Sequence, residues 1–259
     1  MTDCQDLYTW IESSDYEWVD ESYFEFGECL TTVSGQLNQL WRDNHYVYVV
    51  TSFGLDMFDI FSTNKVAYIV IDGGFTTVWG NDDFIYLGTY GDGVKYLEKI
   101  LISYGNLYTY LEDYNYQYNT SSNNIKYLHG YMNTLAVITD IGIDILNRDY
   151  QGFKSTTSGT NFTKCFLTSK KEIYYIIQDS ATDGVGKINS IVCDWSEPDI
   201  FYAAGTSFLP KDQRINDIFI TENTSLNGTD NTLFVATNNG AYVLDEGTLA
   251  FDVYYIKGE

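Results

Sequence analysis

Residues 36–60, QLNQLWRDNHYVYVVTSFGLDMFDI, hold the pattern that decides the fold. A short strand-like run, Leu37 to Trp41, is followed by a polar turn and then by Tyr46 to Thr51, a run of Tyr and Val closed by Thr. A tight turn at Ser52-Phe53-Gly54 leads into a third run, Leu55 to Ile60, and a looser one follows over Lys65 to Ile71. β-Branched and aromatic residues at this density favour pleated sheet over helix. Glycine in the turn supplies the positive φ that a hairpin needs and a β-carbon penalises. The unit therefore reads as four consecutive antiparallel strands.

The unit recurs. Residues 75–98, FTTVWGNDDFIYLGTYGDGVKYLE, and 125–147, IKYLHGYMNTLAVITDIGIDILN, superpose on it without gaps: Trp41 to Thr51, Trp79 to Thr89 and His129 to Thr139 each span ten residues. Two further copies fit with insertions, CFLTSKKEIYYIIQDSATDGVGKIN (165–189) and INDIFITENTSLNGTDNTLFVATNNGAYVLDEG (215–247). The anchors Thr51, Thr89, Thr139, Gln178 and Thr237 then fall 38 to 59 residues apart, the spacing of propeller blades. Glycine returns in the second turn as Gly54, Gly91 or Gly93, Gly142 and Gly240, each expected at positive φ. A four-stranded sheet repeated in this way buries both faces only by stacking radially on its neighbours. The expected fold is all-β, a single β-propeller of about five four-stranded antiparallel blades over 35–259.

The pattern resembles the repeat of two-component-regulator propellers, on the segments LNQLW…YVVTSFGLDMFD, TTVW…IYLGTYGDGVKYLE and NDIF…LFVATNNGAYVLDE. The resemblance spans roughly residues 36 to 256 and implies the architecture. It implies little about function, because propellers serve as lectins, sensors, scaffolds and enzymes.

Residues 1–34 stand outside the repeat as an N-terminal arm. They carry many carboxylates and no Lys or Arg, yet Trp10, Trp18, Phe24 and Phe26 make them too aromatic for a solvated tail. The arm is expected to pack either on its own propeller or as a strap on a neighbouring subunit, and those four aromatic residues are candidate partner contacts.

Composition narrows the function classes. A formal charge of −22, from 36 acidic and 14 basic residues, disfavours nucleic acid and anionic membranes, whose affinity rests on Lys and Arg. No run of about 18 apolar residues and no signal-type N-terminus is present, so membrane insertion is not expected and folding in a cytosol is. Cys4, Cys29, Cys165 and Cys193 are too widely spaced for a CxxC pair, and two histidines are too few for a plausible zinc set. Asp82-Asp83 and Asp140/Asp144 lack EF-hand spacing and read as solvated loop carboxylates. Neither a metal nor a cofactor is expected.

Propeller ligands commonly sit at the mouth of the central channel. The residues expected there are the tips of the second turn: Phe53, Tyr90, Asp92, Asp140, Ile141, Asn238 and Asn239. The inner strands, LNQLW, FTTVW, IKYLH, FTKCF and INDIF, contain one carboxylate, Asp217, with Asp72 and Asp212 nearby. A five-bladed glycosidase would need two or three converging there. His129 takes the repeat position of Trp41 and Trp79 and reads as a packed structural residue. The expected function is a non-enzymatic structural or interaction module, most narrowly a virion component of a phage capsid or tail that binds neighbouring protein subunits. The alternative is a carbohydrate-binding lectin or adhesin with glycan partners. The expected location is the virion after folding in the host cytoplasm, or else the cytoplasm.

Overall fold

The computed structural model describes residues 35–62, 64–99, 117–147, 152–169, 172–178, 183–189, 202–208, 214–221, 232–238, 240–244 and 251–256. Twenty strands lie within them, and they form five four-stranded antiparallel sheets, each a meander of strands consecutive in the chain. The first sheet holds β1 (Leu37–Arg42), β2 (Tyr46–Thr51), β3 (Gly54–Asp59) and β4 (Lys65–Val70). The second holds β5 (Thr77–Gly80), β6 (Phe84–Gly88), β7 (Val94–Glu98) and β8 (Gln117–Tyr118). The third runs β9 (Ile125–Tyr131), β10 (Thr134–Thr139), β11 (Gly142–Asn147) and β12 (Gly152–Ser158). The fourth runs β13 (Phe162–Leu167), β14 (Ile173–Gln178), β15 (Asp183–Asn189) and β16 (Tyr202–Phe208). The fifth runs β17 (Ile215–Thr221), β18 (Thr232–Thr237), β19 (Gly240–Leu244) and β20 (Phe251–Ile256). The expected repeat is thus the repeat of the fold, and the chain is a β-propeller.

The apolar cores lie between neighbouring sheets. Tyr48 and Val50 of β2 pack with Phe75, Val78, Ile85 and Leu87 of the second unit, while Val47 and Val49 of the same strand serve the opposite face. This is the period-two alternation of a strand buried on both sides. Equivalent cores join the second sheet to the third, the third to the fourth and the fourth to the fifth. Each fully buried side chain of this size contributes about 1.5–3 kcal/mol. No sheet could retain that contribution alone, because one of its apolar faces would return to water.

The innermost strands approach one another in chain order, β1 to β5, β5 to β9, β9 to β13 and β13 to β17. Trp and Gly residues set that approach. Trp41 lies over Gly80, where a β-carbon would sit 2.6 Å from the indole, and Trp79 lies over Gly130, again at 2.6 Å. Where His129 replaces Trp, the next sheet places Leu167, not glycine, at the matching position, and the Leu167 N–H donates to His129 Nδ1 at 3.2 Å. The two Trp rings thus lie over glycine, whereas His129 is met by a backbone N–H.

The Thr anchors prove to be turn clasps as well as strand ends. The hydroxyls of Thr51, Thr89, Thr139 and Thr237 donate to the carbonyls of Gly54, Gly93, Gly142 and Gly240 at 3.4, 2.8, 3.1 and 2.8 Å. One glycine expectation is corrected. Gly54, Gly91, Gly93 and Gly240 take positive φ, but Gly142 does not. There the Thr139 hydroxyl also accepts the N–H groups of Ile141 and Gly142, holding the turn without a left-handed residue.

Overpacking a closed interface of this kind typically costs about 1–3 kcal/mol. Gly130→Ala should lower urea stability by that order, and Trp79→Leu in the same background should recover part of it, because the added methyl meets the Trp79 ring. Equal midpoints for wild type and Gly130→Ala would refute the ring-over-glycine packing.

Candidate functional site

The inner strands enclose a cavity of about 450 Å³ on the axis, reached from the face that carries the β2–β3 type turns. The register places it there: Leu37 pairs with Thr51, Thr77 with Gly88 and Ile215 with Thr237, so each inner strand begins beside the end of its second strand. One repeat position supplies a lining side chain from every sheet: Asn38, Thr76, Lys126, Thr163 and Asn216. The next position supplies Gln39, Tyr127, Lys164 and Asp217. Its fifth member, Thr77, is fully buried and used internally.

Those polar residues face an edge-strand problem. Inner-edge N–H groups have no strand beyond them and must be satisfied some other way. Gln39 Oε1 accepts the Val78 N–H at 3.2 Å and the Thr77 hydroxyl, and Thr77 Oγ1 in turn accepts the Leu128 N–H at 3.2 Å. Asn38 Nδ2 donates to the Phe75 carbonyl at 2.6 Å. Between the fourth and fifth sheets, buried Asp183 takes both Arg214 Nη1 at 2.7 Å and the Ile215 N–H at 2.8 Å. Side chains therefore stitch neighbouring inner edges together.

Charge is distributed unevenly over the site. Lys164 Nζ lies 3.0 Å from Asp217 Oδ2, with the two side chains 32% and 58% exposed. An ion pair this open contributes little to stability. Lys126 Nζ donates to the Thr160 carbonyl at 2.7 Å, and among the described residues it forms no ion pair. The Tyr127 phenol is raised above its ordinary range by burial first and then by the Asp217 charge, so it stays protonated. Thr76 Oγ1, by contrast, is buried without a hydrogen-bond partner.

The expected tip residues that are described lie on turns at the same end, and none of them lines the cavity. Phe53, Tyr90 and Ile141 are 49%, 75% and 47% exposed, and Asn238 is exposed too. Asp92 pairs with Lys95 at 3.2 Å. Asp140 is held below the ordinary carboxyl range by hydrogen bonds from Ser122 and Asn124, with a smaller pull from Lys126. Trp10, Trp18, Phe24, Phe26 and Asn239 lie outside the described residues. Sequence reasoning singled out Asp217 but passed over Lys126, Lys164 and Tyr127. The signal was available: they occupy the repeat columns two and three residues before the Trp41 position.

Below the cavity the ring ladder continues. His129 stacks on Phe166 at 4.0 Å and meets Trp79 at 6.2 Å. Burial pushes its imidazole down to about 4, and it is the packed residue expected from the repeat. Cys165 is free and buried, and burial raises its thiol. Among the described residues no cluster of His, Cys, Asp or Glu could hold a metal ion.

The chain is similar in structure to the extracellular domain of the BT3049 hybrid two-component system of B. thetaiotaomicron, with a TM-score of 0.56 and 16% identity over 91% of this chain. A second such domain, of BT4673, gives a TM-score of 0.57 and 13% identity over 85% of the chain. The chain spans about 30% of the length of these neighbours. Hydrazine synthase from Kuenenia stuttgartiensis gives a TM-score of 0.55 at 9% identity, covering 88% of this chain and 71% of that one. These likenesses show the propeller fold. No family description matches the chain, and no curated protein does.

Because His129 binds a proton near 6.5 when unfolded and near 4 when folded, the unfolded state holds more protons between those values. Its contribution to stability is complete above 6.5 and is lost as pH falls toward 4. In urea titrations, the stability difference between wild type and His129→Phe should therefore shrink as pH is lowered through that window. A difference independent of pH would mean that the ring is not buried as a neutral imidazole.

Proposed function

We propose that the chain is a non-enzymatic binding module that meets its ligand or partner at the cavity mouth and the surrounding turn tips. One observation carries this reading: each of the five sheets sends a polar side chain to a single axial cavity. Exposed Phe53, Tyr90 and Ile141 stand on second turns at the end of the sheets where the inner strands begin. Convergent hydrogen-bonding groups in a concavity, with aromatic surfaces at its rim, suit the capture of a hydroxylated ligand. Glycoside hydrolysis needs a second carboxylate near the first. Among the described lining residues Asp217 is the sole acid, and Lys164 holds it as an ion pair.

The carbohydrate-binding expectation draws support from the amides and hydroxyls of the lining. The extracellular setting of two structural neighbours agrees with a ligand-receiving role. The narrower virion assignment, with subunits of a large assembly as partners, rests on the acidic, Tyr- and Asn-rich composition, and mass spectrometry of purified particles tests it.

On a glycan array the full chain should bind saturably, and Tyr90→Ala should weaken that binding several-fold without changing the melting temperature. Cleavage of any arrayed glycan, abolished by Asp217→Asn at unchanged stability, would replace the binding reading with a hydrolase.

A further inference from the structure

We infer that the axial cavity recognises a small hydroxylated carboxylate, with Lys126 and Lys164 receiving the carboxylate and the neighbouring amides and hydroxyls receiving the hydroxyl groups. This deepens the binding-module reading and rests on it. Acidic residues outnumber basic ones by 36 to 14 along the chain, yet the cavity lining reverses the balance, with two lysines and one aspartate. In so acidic a protein an ammonium would be expected to find a carboxylate. Lys126 instead points its ammonium at the neutral Thr160 carbonyl, 2.7 Å away, exerts only a minor pull on Asp140, and keeps two further N–H donors.

Lys164 is committed to Asp217, but both partners are partly exposed and the pair is weak. A ligand carboxylate can therefore share the Lys164 ammonium at little cost, and a charge-assisted hydrogen bond to it would be stronger than a neutral one. A cationic ligand would meet the opposite situation, an aspartate already paired beside a lysine that forms no ion pair among the described residues.

The net charge of −22 opposes any anion at long range. Salt decides the balance. At about 0.1 M ionic strength the screening length is about 10 Å, so distant surface carboxylates are attenuated while the two lysines act at contact distance.

A second observation favours hydroxyl groups on the ligand. Thr76 lines the cavity with its Oγ1 buried beneath the surface. The Asn216 and Gln178 amides and the Thr163 hydroxyl also line the cavity, and their side chains make no hydrogen bond among the described residues. A volume of about 450 Å³ lies within the usual range for a small-molecule site.

Titration calorimetry on the full chain with glucuronate, citrate, glucose and acetate tests the inference. Glucuronate or citrate should bind saturably, and which of the two does so separates a sugar acid from an open-chain hydroxy acid. Glucose lacks the charge and acetate lacks the hydroxyls, so each should bind at least tenfold more weakly. Lys126→Gln and Lys164→Gln should each weaken the hydroxycarboxylate at least tenfold at unchanged melting temperature, and Lys126→Arg should retain most of the affinity. Glucose binding as tightly as glucuronate would overturn charge recognition and leave the binding module standing. Failure of both hydroxycarboxylates to bind would overturn the inference outright, and turnover of any of the four would overturn the module itself.

Discussion

Inner-edge strands that meet around one axis have backbone N–H groups with no further strand to pair them, and satisfying those groups is the constraint on which the structure depends. A net hydrogen bond is worth only about 0.5–1.5 kcal/mol, but a buried donor left unmade costs about 1–3 kcal/mol. The larger number governs the design. Val78 N–H goes to Gln39, Leu128 N–H to Thr77, Leu167 N–H to His129 and Ile215 N–H to Asp183. Each bond crosses from one sheet to the next, so the same interactions that satisfy an edge also fix the spacing and order of the sheets.

The polarity of the axial cavity follows from this constraint. An inner strand must carry amides, hydroxyls or charges at the columns nearest the axis, and those columns are Asn38, Thr76, Lys126, Thr163 and Asn216 with their neighbours. Some of these groups are consumed by the stitching. Others, including the Asn216 amide and the Lys126 ammonium, retain capacity that no described residue uses. A binding site can therefore arise from surplus hydrogen-bonding groups in a framework whose first requirement is structural.

The repeat is close but unequal, and the inequality is physical. Trp41 and Trp79 require glycine opposite them, whereas His129 stacks on Phe166 and accepts the Leu167 N–H. Side-chain size at one column is thus matched by the size at a different column one unit later. That matching ties each unit to its neighbour and disfavours permuting the units, although their strand grammar is the same.

The all-β class, the strand boundaries at Tyr46–Thr51, and the radial stacking were legible in the residues alone. Period-two alternation, turn glycines and a ten-residue spacing are local signals that survive without coordinates. The turn tips Phe53, Tyr90 and Ile141, expected at the channel mouth, are exposed. Only the tertiary structure decided that the cavity belongs to Lys126, Tyr127, Lys164 and Asp217 and not to those tips. Lys164 and Asp217 lie on different sheets, and their ion pair exists because two inner strands converge on the axis. Alternation along a strand tells which side chains share a face, but the rotation of one sheet against the next determines what that face meets, and contacts between distant parts of the chain set the rotation.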